Sequence, residues 1–88
     1  MRKVFFSAKF ERRLISFTTS HPELKEKTRT IMSLVVTNPF AVQLKTHKLS
    51  GSIKECLASN ITHKYRVVFI LTKDEVKFVN IGSHDEVY

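Results

Sequence analysis

The spacing of apolar residues changes once along this chain, near Pro39. That change separates a helical first half from a strand-rich second half. At the start, VFF at 4–6 is a short apolar run beside Arg2 and Lys3, which predicts a first strand. Ser7 stands at an N-cap position. Phe10, Leu14 and Phe17 follow at i, i+4 and i+7, with Lys9, Glu11, Arg12 and Arg13 on the other faces, the pattern of an amphipathic helix. SHPE at 20–23 marks a break and a restart. Pro22 suits a first helical position, while Ser20 with Glu23 has the spacing of a capping box. The two readings differ by one residue, and the pattern leaves both open. The second helix carries Leu24, Ile31, Leu34 and Val35 and should stop at Asn38-Pro39, because the residue before proline is pushed out of the α region. Two helices with a tight break between them read as an antiparallel hairpin.

Beyond Pro39 the spacing suits extended chain. Val42–Thr46 reads as a weak strand, LSGS at 49–52 as a turn, and 53–61 as a strand with Ile53, Leu57 and Ile61 on one side. YRVVFIL at 65–71 is a nearly continuous β-branched and aromatic run, as expected of a central strand. TKDE at 72–75 is hairpin chemistry, and VKFVNI at 76–81 runs into GSHDEVY, which should finish the last strand. The order β-α-α-β-β-β-β predicts a single α+β domain over 1–88. In it an N-terminal strand and a two-helix hairpin pack on a largely antiparallel, twisted sheet of four to five strands. One sheet face is left open.

Charge adds a partner to this picture. Fifteen Lys and Arg against eight Asp and Glu give +7 on 88 residues, and between Lys45 and Arg66 five cations face the single acid Glu55. Such density favours polyanions, nucleic acid first, through counterion release. A basic surface with no partner and an acidic protein partner are the competing accounts. The lone Cys56 excludes an internal disulfide and suits a reducing compartment. With no signal peptide and no apolar run near the ~18 residues of a membrane span, a cytoplasmic, membrane-free protein is expected. His21, His47, His63 and His84 are too scattered for a metal-ligand pattern, so no metal or other cofactor is expected. Cys56 sits in a strand pattern, where small cysteines are usually inert. Gly51 and Gly82 are the only glycines, too few for a phosphate-cradling loop.

What remains is HKLSG at 47–51, KYR at 64–66 and GSHDEVY at 82–88. THKLSG, HKYRVVF and IGSHDEVY, in that order behind two helices, resemble the RelE/ParE superfamily of type II toxin–antitoxin toxins, and most nearly its RelE/YafQ-like mRNA interferases. The resemblance covers essentially the whole chain. It implies a RelE-like fold and a metal-independent ribonuclease that cuts mRNA, mostly in the ribosomal A site. It also implies a cognate antitoxin that wraps and silences the toxin; the toxin alone would be monomeric and the complex hetero-oligomeric. By resemblance, His47 and His84 match catalytic histidines, Arg66 matches a strand arginine near the scissile phosphate, and Tyr88 matches a terminal aromatic that stacks on or orients substrate.

The chemistry agrees with these assignments. Metal-free RNA cleavage needs a base for the 2′-OH proton, an acid for the 5′-oxygen leaving group and a cation against the charge growing on phosphorus. Histidine serves as either acid or base near neutrality, and arginine holds a phosphate with a charge that does not titrate away. His84 and His47 therefore share the acid and base roles, in an order the residues leave open. Arg66 holds the phosphate with help from Lys48, Lys45 and Lys64, and Asp85 orients a histidine or reads a base edge. Plainer roles compete: a strand-end His84 facing water, a turn-flanking His47, an Arg66 ion-paired to Glu55 or Asp85, and a Tyr88 that covers the core edge. His21 and His63 read as structural or exposed. The chain departs from the YafQ pattern at Lys64, where an aspartate is expected, and at Asn60, where another histidine is expected. Two other functions stay open. One is a ParE-like toxin that inhibits DNA gyrase by binding; the other is an inactive relic that binds RNA or titrates an antitoxin. For either toxin, the partner should present an acidic, amphipathic segment.

Overall fold

The computed structural model describes residues 2–49 and 56–87. Its elements are β1 (Lys3–Phe6), α1 (Ala8–Ser20), a 3-10 turn (Pro22–Leu24), α2 (Lys25–Thr37), a second 3-10 turn (Val42–Leu44), β2 (His47–Lys48), β3 (Cys56–Asn60), β4 (Tyr65–Leu71), β5 (Glu75–Ser83) and a terminal helical turn (His84–Val87). The sheet has five strands in the order β1-β5-β4-β3-β2; β1 joins β5 in parallel and the other three pairings are antiparallel. This is the expected α+β architecture, with the helical hairpin over one sheet face.

The caps explain where the helices begin and end. Ser7 holds an extended backbone, and its hydroxyl accepts from the Phe10 N–H at 3.0 Å, satisfying one of the first-turn donors of α1. Of the two readings of SHPE, the proline one stands. Ser20 is the last residue of α1, and Pro22 opens the 3-10 turn that leads into α2. Helix α2 ends at Thr37, ahead of Asn38-Pro39.

The core forms between the inward stripe of the hairpin (Phe10, Phe17, Ile31, Val35) and the facing side of β4 and β5 (Val67, Phe69, Val76, Phe78, Ile81). Phe6, Phe10 and Phe78 form one aromatic cluster, with ring centroids 5.4–5.8 Å apart. Each fully buried phenylalanine contributes up to about 3 kcal/mol of transfer free energy, so Phe10, Phe69 and Phe78 dominate a small core.

Two expectations about strands need correcting. Val42–Thr46 is not a strand: Val42–Leu44 forms a 3-10 turn that drops Leu44 into the core, and Lys45 closes it in the left-handed region at φ 49°. Only His47 and Lys48 then pair with β3. Nor does GSHDEVY complete a strand. β5 stops at Ser83, and the chain turns helical from His84. The turn expected at 49–52 lies mostly outside the described residues, as do Ile53, Lys54 and Glu55 at the start of the 53–61 run; Leu49 N–H to Cys56 O at 3.1 Å closes the described part.

One irregularity decides which side chains face where. Phe69 pairs with Phe78 and Val68 with Asn80, so Val79 is an extra residue, a β-bulge. Strict alternation would carry Asn80 into the core behind Val76 and Phe78. The bulge instead puts Ile81 in the core and Asn80 on the opposite face.

Candidate active site on the sheet face away from the helices

Directly paired residues of a sheet share a face, and neighbours along a strand alternate. Val67 and Ile81 pair inside the core, so the next pair, Arg66 with Gly82, belongs to the face away from the helices. Asn60 pairs with Arg66 from the other side, and Ala58 with Val68. His47 pairs with Ala58 and therefore joins the same face, at whose centre Ala58 and Val68 are buried, 0% and 2% exposed. Two spacings of ~4.8 Å across the strands and one step of ~6.8 Å along them separate the His47 and Arg66 backbones by about 12 Å. A nucleotide and two long side chains can bridge that distance.

The other expected residues are distributed differently. Lys48 pairs with Leu57 on the helix-side register, so β2 turns it away from the face that carries His47. Lys45 is exposed, and its carbonyl lies 2.9 Å from Nδ1 of His47, which fixes that ring against the turn. Lys64 lies in the turn between β3 and β4, with its ammonium 5.4 Å from the centre of the Tyr65 ring. His21 packs between Phe17 and Tyr65, a structural place, and His63 is exposed. His84 and Asp85 are exposed in the terminal turn, immediately beyond the Arg66–Gly82 end of β5. Tyr88 lies outside the described residues. Among the described residues, no group of three His, Cys, Asp or Glu could hold a metal ion, and no helix is long and apolar enough to cross a membrane.

The terminal turn is built by a motif that the reading of 82–88 as a strand passed over. Ser83-His84-Asp85-Glu86 is a capping box. The Ser83 N–H donates to Glu86 Oε1 at 2.8 Å, and the Glu86 N–H reaches Ser83 Oγ at 3.4 Å. Arg13 of α1 locks the box: its Nε donates to the Ile81 carbonyl at 3.1 Å, and its Nη2 meets Glu86 Oε2 at 3.2 Å. Gly82 is needed for this close approach. A Cβ there would stand 2.9 Å from Glu86 Oε1 and 3.1 Å from Arg13 Nη2. Its part is to leave room for the clasp. The Ser83 backbone N–H, then the Ser83 hydroxyl, and more weakly Arg13 hold the Glu86 carboxyl below its ordinary value of 4.5.

A carboxylate with a depressed folded pKa contributes above its unfolded value, and that contribution is lost as pH falls through the folded one. Exchange of the Ser83 amide should therefore speed up as pH falls below 4.5, once the intrinsic pH dependence of exchange is divided out. Glu86→Ala should speed it about five-fold at neutral pH, the equivalent of a ~1 kcal/mol cap. Amide exchange followed by NMR checks both.

Asn60 is the residue that sequence reasoning undervalued. It sits directly opposite Arg66, and its side-chain oxygen is buried without a hydrogen-bond partner among the described residues. Leaving such an acceptor unsatisfied costs about 1–3 kcal/mol, which a donor on a bound ligand would offset. The position was noted only for its missing histidine; its pairing with Arg66 needed the strand register.

Residues 2–88 match the family model described as "Bacterial toxin of type II toxin-antitoxin system, YafQ". Among solved structures, the fold is similar to YafQ from E. coli strain BL21(DE3), at 19% identity and a TM-score of 0.84, covering 100% of this chain and 99% of that one. It is also similar to the chain matched in the E. coli DinJ-YafQ complex, at 20% identity and 0.86, with the same coverage. A metal-bound toxin from Helicobacter pylori matches at 24% identity and 0.80, with both chains covered in full. No curated protein sequence matches significantly.

Proposed function

Because the chain belongs to the YafQ family of bacterial type II toxins, we propose that it is a metal-independent endoribonuclease, one domain over 1–88, that cleaves mRNA on the ribosome and is silenced by a cognate antitoxin. One observation carries the reading. His47, Asn60 and Arg66 share the sheet face away from the helices, and a clasped turn brings His84 to the end of that face. In this reading Arg66 holds the scissile phosphate, and His84 and His47 divide the proton transfers at the 2′-OH and the leaving 5′-oxygen. The Asn60 oxygen accepts from a substrate hydroxyl or base amine. Lys45 and Lys64, both exposed on turns at the Asn60 end of β3, steer the strand in, and Asp85 meets a base edge or a histidine. Lys48 contributes charge from the other face, and Tyr88 stacks on substrate. The reaction takes place in the cytoplasm. The printed description of the E. coli complex, in which a YafQ is bound to DinJ, supports the antitoxin partner.

Mapping RNA 5′ ends after induced expression tests the reaction. Cuts within translated messages at codon-linked positions are the expected result. Intact mRNA together with gyrase-linked DNA breaks would replace this reading with the gyrase one.

A further inference from the structure

The loop between α2 and β2 holds two large apolar side chains out in solvent. Phe40 is 64% exposed and Val42 88%, whereas Leu44, in the same loop, is fully buried in the core. The segment that carries them is tied along its length. The Ala41 N–H donates to Asn38 O at 3.0 Å, the Leu44 N–H to Ala41 O at 3.0 Å, and the Lys45 N–H to Val42 O at 3.3 Å. The Thr46 hydroxyl gives its one hydrogen to Pro39 O at 2.6 Å, so it accepts from the buried Ser59 hydroxyl at 2.6 Å. Fixed at both ends and by Leu44 between them, the loop presents Phe40 in a set position, which spares a binding partner the cost of ordering it.

That position is beside the proposed site. The Thr46–Pro39 hydrogen bond ties Phe40 to the residue that precedes His47. Ordinary bond lengths added to its 2.6 Å put the Phe40 Cα within about 12 Å of the His47 Cα. A path from Arg66 on β4, past Asn60 on β3 and His47 on β2, leaves the sheet at this edge, because β2 is the outermost strand. The surroundings are cationic. From Lys27 to Lys54 the sequence holds five Lys and Arg and no Asp or Glu, and Lys45 is exposed in the loop itself. An exposed ring with cations beside it suits single-stranded RNA: the ring stacks a base, whichever base it is, and the cations meet phosphate. An acidic peptide would use the same charge, but leucine would serve it as well as a flat ring.

We propose that Phe40 is a stacking platform for the mRNA, taking the base of a nucleotide that neighbours the one cut between His47 and Arg66, with Lys45 against its phosphate. The inference rests on the ribonuclease reading above and adds to it a contact that holds substrate without moving a proton. Since stacking tolerates any base, Phe40 fixes the position of the strand rather than its sequence.

The chain has no tryptophan, so Phe40→Trp installs a single fluorophore in the loop. Its emission should be quenched by a 2′-O-methyl hexanucleotide, which can bind but lacks the attacking hydroxyl. In cleavage of ribosome-bound mRNA, Phe40→Ala should raise KM about ten-fold with kcat little changed, the loss of one base–aromatic stack. Phe40→Leu should behave like Phe40→Ala, and Phe40→Tyr should restore the wild-type KM. Phe40 is outside the core, so melting temperatures should stay near wild type. A wild-type KM in Phe40→Ala or in Phe40→Leu would overturn the inference and leave the proposed function standing. Quenching by the antitoxin or by empty ribosomes, without quenching by the hexanucleotide, would assign the loop to that partner and overturn the inference. A wild-type protein that cuts no mRNA would overturn both.

Discussion

Replacing His84 by alanine is expected to lower the single-turnover rate of RNA cleavage by about 10²–10⁴, the usual worth of a positioned proton-transfer group. The fold should be unaffected. His84 is exposed, and Ser83, Glu86 and Arg13 clasp the turn that carries it. The loss should appear in kcat more than in KM, because a proton in flight is stabilised in the transition state and not in the ground state. The pH profile is the sharper readout. Two histidines acting as acid and base give a bell-shaped profile, and His84→Ala should remove one of its limbs. Which limb disappears identifies His84 as acid or base, and His47→Ala should remove the other. Glu86→Ala should act more mildly, shifting the rate through the position of His84 while both limbs survive. Cleavage unchanged in His84→Ala, with the turn intact by NMR, would return His84 to a surface residue.

The legible and illegible parts of this fold divide by the range of the interactions that set them. The helices could be read because caps and periodicity are local. Ser7, the Phe10–Leu14–Phe17 stripe and Asn38-Pro39 act within a few residues of where they stand. YRVVFIL was read as a central strand because burial on two sides leaves a continuous apolar run, and β4 does lie between β3 and β5. The ends of the sheet were harder. QLKTHK has no apolar periodicity of its own, and the core contact of Leu44, a tertiary effect, decided it as a 3-10 turn. The two S-H-x-E stretches are instructive. SHPE and SHDE carry the same spacing, yet only the second forms a capping box, because proline at 22 starts its own turn after Ser20 has already closed α1. The signal for the terminal turn was present at 83–86 and was read as strand. On the site, sequence could nominate His47, Arg66 and His84, but the face they occupy depends on register. Lys48 and Asn60 exchanged importance once that register was known: one residue of offset sends Lys48 to the helix side and sets Asn60 against Arg66. The Val79 bulge belongs to the same class. It exists because Ile81 gains more by burial than Asn80 would, a comparison made across strands.

Arg66 should be the other large loss. It is half-buried in the middle of the sheet, between Asn60 and Gly82, in a strand that is otherwise apolar apart from Tyr65. A cation held in that setting is preorganised to meet a phosphate oxygen that gains charge in the transition state. Arg66→Gln should lower kcat by about 10²–10³, the effect of removing one donor aimed at transition-state charge. Arg66→Lys retains the charge but loses the planar fork, so it should recover only part of that loss. Salt separates chemistry from steering. If Arg66 only attracted RNA, its removal would raise KM, flatten the salt dependence by about 0.7 in log–log slope, and be compensated at low ionic strength. If it holds the scissile phosphate, the kcat defect should persist at every salt concentration. Lys45→Ala and Lys64→Ala, both on exposed turns, should show the steering pattern instead. A Gln variant with wild-type kcat and a lower melting temperature would make Arg66 part of the fold and leave phosphate binding to the lysines.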